Sequence, residues 1–292
     1  MRVVMTGGSS GIGLRAARVL SARGARMTIG TRSNGSDLPD GMEVVSLDLS
    51  DLDSVRAFAQ RVSDQPIDVL IGNAGTQFRA PRRSRQGHEL TFATNHLAHY
   101  LLVRLLLDRM APNGRIILTS SGTHDPAQKT GMPPPRHADA MRLVHPDRDP
   151  EADRKPGVAG RRAYSTSKLC NLMTARELAK RAHDRPDLTI VAFDPAFVPG
   201  TGLARDYGPV LDWVFRTVFP IVVRGSHVST PAISGQALAD LATGPNYAGR
   251  RGEYWSVRSK RLTLATPSEL ARDDEACARL WEDSARLVGL AP

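Results

Sequence analysis

The 292-residue sequence predicts an α/β fold: a doubly wound parallel sheet flanked by helices, with a long insertion before its most conspicuous helix. Three observations predict it. Short apolar runs alternate with stretches of helical periodicity. Successive runs end in small or polar residues, as a parallel sheet does where it holds a ligand. The first run passes directly into a glycine-rich turn and a helix, the context in which glycines mark a dinucleotide site.

Arg2-Val3-Val4-Met5 is the first strand, followed by Thr6-Gly7-Gly8-Ser9-Ser10-Gly11-Ile12-Gly13. The helix after it carries Ile12, Ala16, Val19 and Leu20 on its expected buried side. Glycines let a backbone approach a pyrophosphate closely, and a helix N-terminus offers it free N–H groups. Gly7, Ser9, Ser10, Gly11, Ile12 and Gly13 are therefore the expected phosphate cradle of a Rossmann-type site, with G-x-x-x-G-x-G spacing. The second strand, Arg26–Thr31, lacks the acidic end residue that binds the ribose hydroxyls of NAD. Arg32 stands there instead and can pair with a 2′-phosphate, which favours NADP(H) over NAD(H).

Val44–Leu47 reads as the third strand, ending at Asp48-Leu49, where an acidic side chain can reach an adenine. Ile67–Ile71 reads as the fourth, ending at Asn73-Ala74-Gly75. A helical pattern then runs from about Gly87 to Met110. It holds Asn95 among Phe92, Leu97, Leu101 and Leu102, so that amide is expected to be buried and to need partners. His96 and His99 are expected to lie on the helix surface or in packing, with no Cys or carboxylate cluster beside them to make a metal site. Arg115–Leu118 is the fifth strand, ending at Thr119-Ser120-Ser121.

From 122 to 162 periodicity disappears and Pro, Arg, His and Asp dominate, which predicts an insertion or lid at the rim of the site. Ala163 then opens a helix in which Tyr164 and Lys168, four apart, share one face. An ammonium beside a phenol favours the phenolate and is expected to draw its pKa down, so that Tyr164 can trade a proton near neutrality. Leu188–Phe193 is the sixth strand; its end, Asp194-Pro195-Ala196-Phe197-Val198-Pro199-Gly200-Thr201, brings Pro195, Phe197, Val198 and Thr201 to the expected cofactor edge. The segment 203–230 contains the most apolar stretch, 210–223, expected to cover the substrate side as a pocket wall and also able to touch a membrane surface. A helix over Pro231–Thr243, a strand over Gly252–Val257 and a terminal helix through Trp281 to Leu287 complete one expected domain over 1–292.

Composition narrows the function classes. The 39 Lys and Arg against 30 Asp and Glu give a net charge of +9, but the basic residues are scattered and lack the aromatic interleaving of single-strand binders, so no nucleic-acid partner is expected. Two cysteines imply no disulfide framework. The chain opens directly on a strand and has no long apolar run, so a cytoplasmic enzyme is the expectation.

Thr6-Gly7…Gly11-Ile12-Gly13, Asp48, Asn73-Ala74-Gly75, Asn95, Ser121 and Tyr164…Lys168 together resemble, in order, the motifs of the short-chain dehydrogenase/reductase superfamily. Thr94-Asn95-His96-Leu97-Ala98-His99, Gly252-Glu253-Tyr254-Trp255-Ser256 and the end of the chain resemble the branch of light-dependent protochlorophyllide reductases and retinol dehydrogenases. Two departures stand out: Pro195-Ala196-Phe197 where the protochlorophyllide enzymes have Pro-Gly-Cys, and Gly8 where they usually have Cys. The resemblance implies NADPH as hydride donor, Tyr164 as proton donor, Lys168 tuning it and holding the nicotinamide ribose, Ser121 binding the carbonyl oxygen, and Asn95 positioning a water. It implies reduction of a ketone or aldehyde on a bulky apolar molecule; the alternatives are reduction of a tetrapyrrole C=C bond and a non-catalytic NADP(H)-binding sensor. Oligomeric state stays open between monomer and homo-oligomer.

Overall fold

The computed structural model describes residues 1–32, 38–199 and 227–292. Among them, eight strands form one sheet in the order β3-β2-β1-β4-β5-β6-β7-β8. They are β1 (Arg2–Thr6), β2 (Arg26–Thr31), β3 (Glu43–Ser46), β4 (Ile67–Gly72), β5 (Met110–Thr119), β6 (Thr189–Asp194), β7 (Arg251–Arg258) and β8 (Arg261–Ala265). Every pairing is parallel except β7 with β8. The order reverses between β1 and β4, which opens the crevice where a doubly wound sheet takes its ligand.

The central strands are apolar throughout because helices cover both faces. On one face α1 (Gly11–Ala22) and a later helix, Pro231–Thr243, pack against Val3, Met5, Ile29, Ile71 and Val191. These helices nearly touch: a Cβ at Gly235 would lie 2.5 Å from the Arg15 Cβ and 2.9 Å from the Ala16 nitrogen. On the other face lie α2 (Leu52–Val62), the helix of α3 (Leu90–Phe92) and α4 (Ala98–Leu106), and the long α6 (Pro156–Arg181), over Val4, Leu70, Ile116 and Ile190. Between α3 and α4 the helix widens to a π-turn over Ala93–Leu97, a local irregularity common at functional sites. The terminal helix Asp274–Leu287 packs on α6 through Cys277, Leu280 and Trp281. No helix among the described residues is long and apolar enough to cross a membrane.

The expected order of elements is observed, with shifted borders. The strand after Asn113-Gly114 begins at Met110, because Asn113 takes a left-handed φ of 59° and the register jumps between Ile67 and Val69. The helix of Tyr164 begins at Pro156, not Ala163, so seven residues leave the expected insertion; proline at the first helical position suits the start. On α1 the buried side is Gly13, Ala16, Ala17 and Leu20, while Ile12 and Val19 are half-buried. β8 is an addition.

The insertion is folded. It holds the short helix α5 (Ala140–Val144), buries Ala140 and Val144, and is knitted by ion pairs. Arg142 holds Asp149 and Glu151, both at 2.5 Å, and Asp153 pairs with Arg136 and Arg162 at 2.9 and 2.5 Å. Arg83, just before α3, pairs with Asp147. His137, Asp149 and Glu151 lie within 4.8 Å of one another, but the Arg142 guanidinium already pairs both carboxylates.

Candidate active site

Thr6 ends β1, and its fully buried hydroxyl is a junction. It accepts the backbone N–H groups of Asn73 and Ala74, both at 3.1 Å, and lies 2.8 Å from Nε2 of His99. His99 Nδ1 lies 2.8 Å from the Asn95 carbonyl, which can only accept, so Nδ1 carries the proton and Thr6 donates to Nε2. Burial holds the ring neutral by pulling its pKa down to about 4. His99 thus joins the glycine loop, the end of β4 and the π-turn. Sequence reading gave it a surface or packing role; its signals were its place one turn after Asn95 and its part in the Asn95–His99 resemblance.

The glycine loop has the crowding of a cradle. Gly7 takes φ +68°, and a Cβ there would lie 2.7 Å from the Ala74 Cα. A Cβ at Gly13 would collide with the Gly7 carbonyl, which already accepts from Asn73 Nδ2 at 3.1 Å. Ser10 caps α1 with extended backbone and leaves the first N–H groups free of any side-chain cap. Ser9 bonds Thr31 at 3.3 Å, and Arg32 is exposed just beyond β2. Asp48 is oriented by its own turn, with Oδ1 accepting both the N–H and hydroxyl of Ser50 at 2.9 and 2.7 Å. The Leu49 side chain is in the core. These free N–H groups, the glycines and the cationic Arg32 fit a phosphorylated dinucleotide.

Asn95 is wholly buried, as its neighbours required. Its Oδ1 accepts from Thr76 N–H at 2.8 Å, and its Nδ2 donates to Thr76 O at 2.8 Å and Ser167 Oγ at 2.9 Å. Lys168, one residue further along α6, is 2% exposed and donates to Thr119 O at 3.1 Å. A buried ammonium has three protons to place, so two remain for a ligand. Its Nζ is close to Gly75, where a Cβ would lie 3.0 Å from Nζ and 3.8 Å from Asn95 Oδ1. Burial draws Lys168 down to about 8, opposed by the charge of Asp194.

Tyr164 is 8% exposed, with Lys168 Nζ 5.8 Å from its ring centroid. Ser121, half-buried just past the end of β5, stands on the phenol side of the site and favours its ionised form. The expected lowering of the phenol pKa is not met. Burial pushes it above its ordinary value, Ser121 opposes this, and Asp194 adds to it. Lys168 does not offset burial because, drawn down to about 8, it has lost its proton before the phenol ionises.

The end of β6 closes the site. Ala196 adopts φ +63°, Pro195 O accepts from Ser234 Oγ at 2.7 Å, and Phe197 bridges to His227 and Ser229, both at 2.9 Å. Phe197 is 42% exposed beside the buried Val198. Thr201, the apolar stretch 210–223 and most of the expected cover over 203–230 lie outside the described residues. A cavity of about 440 Å³ sits between the insertion and another face of α6, lined by Phe92, Arg142, Leu143, Ala159, Ala163 and Thr166, and none of Asn95, Ser121, Tyr164 or Lys168 borders it. Sequence reading gave no role to four further residues, Asp194 at the end of β6, Tyr254 and Ser256 on β7, and His124 after β5, which meet behind the site.

A family model described as short chain dehydrogenase matches residues 1–131. The protochlorophyllide reductase of Daucus carota is 34% identical over 318 residues, covering 99% of this chain and 78% of that one. The chain belongs to the short-chain dehydrogenase/reductase family. Within it, the similarity places the chain in the protochlorophyllide-reductase-like branch, and it is an oxidoreductase. Among solved structures, an uncharacterised protein of Mycobacterium paratuberculosis aligns with TM-score 0.70 and 29% identity over 99% of this chain and 94% of that one. A short-chain dehydrogenase/reductase of Burkholderia multivorans with bound NADP shares the fold at TM-score 0.60 and 22% identity, covering 89% of this chain and 97% of that one. Family membership accounts for the seven parallel strands and the Tyr164–Lys168 helix alike.

Proposed function

We propose that this oxidoreductase uses NADPH to reduce a ketone or aldehyde on a bulky apolar molecule. The observation that carries the reading is the convergence of Asn95, Ser121, Tyr164 and Lys168, from three elements, at the carboxyl edge of the sheet. The glycine loop and Arg32 would hold the cofactor, and the two free protons of Lys168 suit ribose hydroxyls. When bound, NADPH supplies a hydride to the carbonyl carbon. The chain's own part is to manage the oxygen. Ser121 donates to it and stabilises the developing charge, and Tyr164 delivers the proton. Lys168 stands beside the phenol as a cation that favours the phenolate left behind. Asn95 fixes Thr76 and Ser167 around that cation and keeps a lone pair on Oδ1 for a water that resupplies the proton.

The test is loss of NADPH absorbance in the dark against apolar ketones, aldehydes and quinones. Tyr164→Phe should lower turnover by about 10²- to 10⁴-fold while leaving NADPH affinity within a few-fold. Full turnover in Tyr164→Phe would refute the assignment.

A second reading, reduction of a tetrapyrrole C=C bond under light, is favoured by the identity to protochlorophyllide reductase along nearly the whole chain. Ala196-Phe197, in place of that branch's Gly-Cys, argues against it. Illumination with protochlorophyllide and NADPH decides: light-dependent product would replace the carbonyl reading. Tight NADPH binding without turnover of any substrate would leave a cofactor sensor.

A further inference from the structure

Asp194 is 2% exposed, and three groups donate to it. Its Oδ1 accepts from the Ala196 N–H at 2.9 Å. Its Oδ2 accepts from the Tyr254 hydroxyl at 3.0 Å and the Ser256 hydroxyl at 2.8 Å, both on β7. That set suits an anion. The carboxylate lies close to the reacting groups. Phe193, the preceding residue, is in register with Thr119, whose carbonyl holds the Lys168 ammonium. A Cβ at Gly122, next to Ser121, would sit 3.5 Å from Asp194 Oδ2. The Ala196 contact also clamps a turn in which an alanine occupies a left-handed conformation that costs an L-residue about 1 kcal/mol.

We propose that Asp194 is a positioning residue of this site: it clamps the Pro195–Phe197 turn and supplies a fixed negative charge behind Lys168 and Tyr164. The proposal rests on the reading of Tyr164 and Lys168 as the reacting pair. The charged and titratable groups around it are few. Tyr164 and Lys168 face it from α6, Tyr254 from β7, and His124 from the loop after β5. Arg258 is felt by Tyr254 and His124, and Lys168 by His99 on α4. Among these, Asp194 is the group that opposes burial in keeping Lys168 protonated. Removing its charge lowers the affinity of Lys168 for its proton.

Asp194→Asn isolates the charge. The amide keeps the shape, its oxygen can still accept from Ala196 N–H, and the two hydroxyls can turn to accept from its NH₂. The chain has five lysines, Lys129, Lys155, Lys168, Lys180 and Lys260, so isotope labelling at the lysine ε-carbon gives few resonances. Lys168→Met identifies the one that matters. In the ligand-free wild type the Lys168 resonance should titrate near pH 8. In Asp194→Asn the midpoint should fall by about one pH unit. Asp194→Ser, shorter but able to accept from Ala196, should give the same direction and serves if Asn is poorly tolerated. The clamp is tested separately: Asp194→Ala should lower the thermal midpoint, and Ala196→Gly in that background should restore part of it, because glycine takes the turn without strain. A Lys168 midpoint unchanged within about 0.3 unit in the folded variants overturns the charge role. No recovery by glycine overturns the clamp. The titration needs neither substrate nor cofactor, so its failure is distinct from failure to find carbonyl turnover.

Discussion

Thr6→Val is the most informative single substitution, because it removes one hydroxyl and leaves shape nearly unchanged. Three bonds go with that oxygen: those from Asn73 N–H and Ala74 N–H, and the one to His99 Nε2. The histidine cannot compensate by moving its proton, since Nδ1 must keep it for the Asn95 carbonyl. Its Nε2 lone pair is then stranded in a residue that is 1% exposed, at about 1–3 kcal/mol. The two N–H groups are only partly buried, so water recovers most of their loss and each costs about 0.5 kcal/mol. The sum is about 2–4 kcal/mol, read as the shift in urea unfolding followed by circular dichroism. Thr6→Ser is the control, because it keeps the hydroxyl and forfeits one buried methyl, about 1 kcal/mol. In a Thr6→Val background, His99→Leu should cost less than it does alone, since its lone pair is already stranded. NADPH affinity should fall in Thr6→Val as the 73–75 turn loosens. Thr6→Val no worse than Thr6→Ser, together with additive effects of Thr6→Val and His99→Leu, would refute the junction.

Two pH dependences follow from burial. Lys168 is held at about 8, below its ordinary 10.5, so between those values the unfolded chain binds the extra proton and wild-type stability rises with pH. Lys168→Met should therefore abolish turnover yet be more stable at pH 7, by about 2–3 kcal/mol, with the advantage shrinking from pH 8 toward 10. A constant difference in urea midpoint across that range would contradict it. His96 and His99 are drawn down to about 3 and 4 by burial, so the stability they confer is complete above pH 6.5 and is lost as pH falls toward 4. Acid titration of the unfolding midpoint should show this decline in the wild type, and a flatter curve for His96→Gln/His99→Gln. Equal slopes would place the acid sensitivity in the carboxylates instead.

The central parallel strands β1, β2, β4, β5 and β6 were legible because each holds a buried apolar run that ends in small or polar residues. The antiparallel β8 was not. It alternates Leu262 and Leu264 with polar residues, and its turn is made by Ser259 and Lys260 at φ 48° and 65°, residues that do not advertise a left-handed conformation. The early start of α6 was hidden because its first turn, with Gly157 and Gly160, shows no apolar periodicity. Gly160 is required there, since a Cβ would strike the Phe78 carbonyl. In the site, Tyr164 and Lys168 announced themselves by a local spacing, and Ser121, Asn95 and Gly7 by their positions at strand ends or in a helix. Asp194 also ends a strand, and His99 and Tyr254 lie in recognisable motifs, but their roles were hidden because their partners are distant in the chain and only the fold brings them together. The direction of the Tyr164 shift was misjudged for a related reason: spacing reports that a lysine is near, but not that burial outweighs it or that a carboxylate stands behind.

The junctions of this site join residues 93 positions apart at Thr6 and His99, 72 apart at Asn95 and Ser167, and 60 apart at Asp194 and Tyr254. Contacts of such separation pay their loop-closure entropy before they return anything, so they form late as the chain folds. The last of them waits for β7, after residue 250. A growing or partly folded chain can already own the glycine loop and the Tyr164 helix, yet it lacks the grip that fixes Asp194 behind them. Recovery of turnover on refolding should therefore lag the return of helical circular dichroism and coincide with burial of Tyr254, making activity a reporter of the completed sheet.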